Sequence, residues 1–126
     1  MPRKSRRSIA AVLAVGVLLT RAAFAGEADV VDVKVRRAAP GVYDFDVTVK
    51  SADRGWGYYA DAFEVLSPDG TMLGRRVLMH PHETEQPFTR ELHGVRIPAG
   101  VERVTVRARH KPKGYDGKTL SIKLPK

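Results

Sequence analysis

The chain has 126 residues and a formal net charge of +8, is 43% hydrophobic and 29% charged, and contains no cysteine. The missing thiols exclude disulfides, thiolate metal sites, thiol catalysis and covalent haem attachment. Residues 1–25 hold five of the 22 basic residues and none of the 14 acidic ones, so the remainder sets 17 basic against 14 acidic side chains; that net +3 removes most of the support for nucleic-acid binding.

In chain order, Arg3, Lys4, Arg6 and Arg7 form a basic head. An unbroken apolar run of eleven residues follows at 9–19, and Ala23-Phe24-Ala25 supplies a small-x-small pattern. Together these read as a secretory signal, with cleavage expected before Gly26. Eleven residues rise only about 16 Å as a helix, roughly half the hydrocarbon thickness, so a spanning anchor is not expected. Ser5-Arg6-Arg7-Ser8-Ile9 is a partial twin-arginine pattern, but the rest of that consensus is missing, which favours the general secretory route. Residues 26–126 then form one periplasmic or secreted domain, about 100 residues long, which buries about two-thirds of its unfolded surface.

Alternation of apolar and polar residues dominates this domain and predicts seven strands. Val31, Val33 and Val35 mark the first, and Tyr43, Phe45, Val47 and Val49 the second. The third spans residues 58–66, with Trp56 near its start expected to help fill the core. The turn Ser67-Pro68-Asp69-Gly70 leads into the fourth, at 71–79. A Pro- and His-rich stretch at 80–87 precedes the fifth strand at 88–93, and residues 95–100 form a corner. Val104, Val106 and Ala108 mark the sixth strand, and Leu120, Ile122 and Leu124 the seventh. Seven short strands at this spacing predict an all-β, antiparallel, immunoglobulin- or fibronectin-like sandwich; a small closed barrel is the alternative.

Labelled A, B, C, C′, E, F and G, such strands bring the B–C loop (51–57), the C′–E loop (80–87) and the F–G loop (111–117) to one end. Function concentrates on loops held by a rigid scaffold. Candidate binding residues there are Trp56, Tyr58, Asp61, Glu83, Glu85, Arg90 and Tyr115, together with the histidines. His80 and His82 are two apart and face one way in an extended chain, and His110 continues the inward series of the sixth strand. Imidazole suits Cu and Zn, so these three are candidate metal ligands. Asp61 shares a face with Phe63 and Val65, which predicts that it meets His110 inside. Arg90 shares a face with Phe88 and Leu92 and is expected to pair with Asp61 or Glu85 as a structural bridge. Arg103, Arg107 and Arg109, extended by Lys111 and Lys113, form a basic stripe, read as a solvated sheet face that discourages edge pairing, with attraction to an anionic partner (lipid headgroups, acidic polysaccharide or an acidic protein) as the alternative.

The stretch Tyr59-Ala60-Asp61-Ala62-Phe63, the turn Pro68-Asp69-Gly70-Thr71, the run His80-Pro81-His82-Glu83-Thr84-Glu85-Gln86-Pro87-Phe88-Thr89-Arg90 and the corner from Val95 to Gly100 resemble a family of small uncharacterised exported proteobacterial proteins. The resemblance covers about residues 43–124 and implies export and a compact β fold; it implies no substrate. The chain carries no G-x-S-x-G elbow, no H-E-x-x-H pair and no Gly-rich phosphate loop. The expectation is therefore a non-enzymatic binding or interaction module that works on an unknown protein or small ligand. A Cu- or Zn-binding protein is the alternative.

Overall fold

The computed structural model describes residues 25–126; the export signal expected at residues 1–25 lies outside them, apart from Ala25. Seven strands follow one another: β1 (Ala28–Ala39), β2 (Val42–Ser51), β3 (Tyr59–Leu66), β4 (Met72–Val77), β5 (Phe88–Arg96), β6 (Arg103–Lys111) and β7 (Leu120–Lys123). They form two sheets, ordered β1-β2-β5 and β4-β3-β6-β7, and every pairing is antiparallel. The fourth strand lies beside the third, as expected of a C′ strand.

The inner faces of the two sheets supply one core. Phe45, Val47, Val49 and Phe88 come from one sheet, and Phe63, Val65, Val104 and Val106 from the other; all are essentially inaccessible. Burying a side chain of this kind contributes about 1.5–3 kcal/mol, which is how a chain without disulfides can hold this shape. Val95 and Ile97, expected in a corner, are buried as well. The fifth strand runs to Arg96, and Ile97 N–H donates to Gly41 O at 2.9 Å.

Two of the register shifts overturn expected side-chain directions. In β1 the register passes from Val30↔Val49 to Asp32↔Thr48, which leaves Val31 as the extra residue. The parity of the strand flips there, so Val30 and Val33 point inward while Val31 is 39% exposed. In β3 the register passes from Ala60↔His110 to Ala62↔Arg109, and Asp61 is the extra residue. Phe63 and Val65 stay inside and Asp61 is turned to the outer face, where it pairs with Arg109. The expected inward meeting of Asp61 with His110 does not occur.

The three loops do gather at one end. Ser51 N–H donates to Gln86 Oε1 at 2.8 Å, joining B–C to C′–E. Asp29 Oδ1 accepts from Lys118 N–H at 2.7 Å and from Gly26 N–H at 2.8 Å, which ties the end of the F–G connection to the start of β1.

Candidate functional site

The loop end is organised by a carboxylate that no sequence pattern marks. Asp53 is fully enclosed in the B–C loop. Its Oδ1 accepts from Ser51 Oγ at 2.7 Å and Ala60 N–H at 3.0 Å, and its Oδ2 accepts from His82 N–H at 2.7 Å. One side chain thus joins the B–C loop, the first turn of β3 and the C′–E loop. A buried charge is tolerated where several donors satisfy it, and such a group fixes the backbone around it. The loop is closed above by Arg54 N–H to Tyr58 O at 2.7 Å and Tyr58 N–H to Gly55 O at 3.1 Å. Gly55 turns this corner at φ 106°, a conformation that favours glycine.

The locked loop holds Trp56 at its tip. Instead of filling the core, the indole is 64% exposed and meets Tyr59 edge-on, with ring centroids 5.8 Å apart. Tyr58, the next aromatic, is half-buried. Its hydroxyl donates to Glu27 Oε1 at 2.6 Å, which pushes its pKa up. Arg54 covers one face of its ring at 4.1 Å, and His110 meets its edge at 4.4 Å.

The three histidines do not converge on one point. His110 is fully buried, and its Nε2 lies 3.2 Å from Ala52 O. His82 is 5% exposed and lies flat on Phe88, centroids 4.0 Å apart, with neither ring nitrogen hydrogen-bonded. Burial, and after it the charges of Arg90 and His80, push its pKa below the ordinary histidine value. His80 is exposed, its ring 4.5 Å from that of His82. Among the described residues no group of three His, Asp or Glu side chains is placed to hold one metal ion, so His80, His82 and His110 do not form the expected donor set.

The remaining candidates fall into ion pairs. Arg90 Nη2 lies 2.9 Å from Glu85 Oε1, so its expected carboxylate partner is Glu85 and not Asp61. The pair holds the Glu85 carboxyl below its usual range. Glu83 is exposed beside Gly55. Tyr115 donates to Glu64 Oε2 at 2.9 Å, and the Arg107 guanidinium sits 3.7 Å above its ring.

Glu64 had no place among the sequence candidates, yet it anchors the outer face of the four-stranded sheet. It is only 2% exposed, with Arg107 Nε at 2.9 Å and Arg75 Nε at 3.7 Å. By register this face carries Arg75, Arg103, Arg107, Arg109, Lys111 and Lys123 at strand positions, against Asp61 and Glu64. Its net charge of +4 exceeds the +3 of residues 26–126, so the rest of the domain is slightly negative. The same face carries Val77, 55% exposed, at the end occupied by Tyr59 and Trp56, and Met79, two residues on, is 72% exposed. A cleft lined by Ser67, Pro68, Leu73, Pro98 and Val101 lies at the opposite end of the sandwich.

No family model matches the chain, and no solved structure does. A protein of the archaeon Halomicrobium mukohataei, described as a "Putative lipoprotein", is 38% identical over 96 residues, or 76% of this chain. The chain spans about half of that relative, 47% of its length.

Proposed function

We propose that this chain is an exported, non-catalytic β-sandwich module that binds a partner through its loop end. Trp56 carries the reading. An indole left largely in water, on a loop whose base is locked by a buried, fully hydrogen-bonded Asp53, is exposed by construction and not by mobility. Large aromatic side chains held rigidly at a surface are the usual anchors of binding sites, because little side-chain entropy is lost on contact. The signal-like residues 1–25 and the lipoprotein description of the archaeal relative both support export. Asp53 and Glu85 at the loop end are engaged, the one in holding backbone and the other in an ion pair, an arrangement suited to a scaffold more than to acid–base chemistry.

The test is capture of an envelope component by the immobilised protein. Trp56→Ser alters an exposed side chain, so circular dichroism and thermal unfolding should be unchanged while capture is lost. Capture that survives the substitution removes the loop end as the working surface.

A further inference from the structure

We infer that the outer face of the four-stranded sheet, from Trp56 along β6, docks on the surface of an anionic phospholipid bilayer. This rests on the reading of the chain as an exported binding module and names its partner.

Two features of that face coincide. At the loop end, Trp56, Tyr59 and Val77 stand on one surface, and Met79 follows Val77 by two residues. Tyr59 is paired with Lys111 across the strands, Val77 is paired with Ala62, and Trp56 leans on Tyr59. Trp56, Val77 and Met79 are all more than half exposed. Beyond this apolar end, the strand positions of the face carry the net +4, an excess of positive charge that the rest of the domain does not share. Aromatic rings and a methionine beside a field of cations match the two layers of a membrane interface. Trp and Tyr settle at the headgroup level, and Lys and Arg gain from anionic headgroups above them.

The ion pairs of this face organise it without cancelling it. Glu64 is buried beneath Arg75 and Arg107 and fixes their positions, while Asp61 holds Arg109. Each carboxylate sits under guanidinium groups that remain about a third exposed, so the outermost layer is cationic. Lys111 and Lys123 are exposed and have no carboxylate partner among the ion pairs of the described residues. These 126 residues contain no cysteine, so a thioester- or thioether-linked lipid cannot be placed on them, and contact made by the folded surface is non-covalent.

Trp56 is the single tryptophan of the chain, so its fluorescence reports on this site alone. The protein, as recovered from a host that exports it, is mixed with vesicles of equal parts phosphatidylglycerol and phosphatidylcholine, and separately with phosphatidylcholine alone. The expected result is a blue shift and quenching by acyl-chain bromine in the anionic vesicles, absent in the zwitterionic ones and reversed by 0.5 M salt (roughly a 4 Å Debye length). A Lys111→Glu/Lys123→Glu variant should partition at least about tenfold less. If that variant fails to fold, the salt series on the unaltered protein decides between docking and its absence. Unshifted emission with anionic vesicles overturns the proposal. So does an equal shift with soluble dextran sulfate that competes with vesicles, since the occupant is then a polyanionic polymer. In either case, Trp56-dependent capture of an envelope component would leave the proposed function standing with a different partner; loss of both would remove it too.

Discussion

At the scale of single residues, the loop end depends on a histidine that must stay neutral. His82 lies flat on Phe88 with both ring nitrogens enclosed and without a hydrogen bond, Nδ1 standing 3.9 Å from Asp53 Oδ2, and its pKa is pushed down by burial, then by Arg90 and His80. Asp53 and Glu85 pull the other way without reversing the shift. The unfolded chain takes up a proton near pH 6.5 while the folded chain resists it, so stability falls as pH drops below about 6.5, until the lowered folded pKa is passed. His93 has the opposite sign. Glu91, and after it Asp44, raise its pKa, so its stabilisation is complete below pH 6.5 and is lost as pH rises through the raised value. That ring is exposed and its pairs are screened, so of these two histidines His82 has the larger effect between pH 7 and pH 5. His82→Phe keeps the stack on Phe88 and removes nitrogens that make no hydrogen bond, so thermal unfolding at pH 7 should change little. The drop in melting temperature between pH 7 and pH 5 should be smaller than in the parent. An identical drop in both proteins would show that His82 is not the acid-sensitive group.

At the scale of elements, the strands were legible because half-buried strands write their faces into the chain with a period of two. The order Tyr43, Phe45, Val47, Val49 reads directly as the inner face of β2. What was not legible were the points where parity changes. A bulge adds one residue and reverses every face beyond it, and nothing in Val30-Val31-Asp32 or Ala60-Asp61-Ala62 says which residue is extra. Hence Asp61 was expected inside, and Val31 with it. Asp53 and Glu64 were invisible for a related reason: their burial is produced by donors from three segments, and no local pattern encodes it. Trp56, near the start of the third strand, was expected both to help fill the core and to serve as a loop-end binding residue, and the closed B–C loop leaves it largely in water. The junction between the F–G connection and β1 allows a prediction at this scale. A methyl group added at Gly117 would collide with the Ala28 carbonyl oxygen, a backbone atom that cannot swing aside. Gly117→Ala should therefore cost about 2–3 kcal/mol and lower the melting temperature by roughly 10 °C or more. A near-parental melting temperature would mean that the two segments are not held in close contact.

At the scale of the whole molecule, the proposed docking asks for a rigid frame with one wet, charged face, and the sheet order determines where that rigidity lies. β2 is bonded on both sides, by β1 and β5; β3 lies between β4 and β6, and β6 between β3 and β7. These three inner strands carry Phe45, Phe63, Val65, Val104 and Val106, all fully enclosed. Opening any of them breaks two ladders and exposes the core, so their amides should exchange only through global unfolding. β4 is bonded on one side only, and Met72 and Val77 are exposed. Its local opening releases one ladder and little apolar surface, and β7, four residues long, is similar. Native-state hydrogen exchange should then give one common, high free energy for β2, β3 and β6, and much faster exchange in β4 and β7. The basic face straddles both classes: Arg107 and Arg109 stand on the slow β6, while Arg75 and Lys123 stand on the fast edges. Docking on an anionic surface should slow exchange in β4 and β7 first, because those strands have freedom left to lose. Protection in β4 equal to that in β3 in the free protein would refute this division and require a cover over the β4 edge.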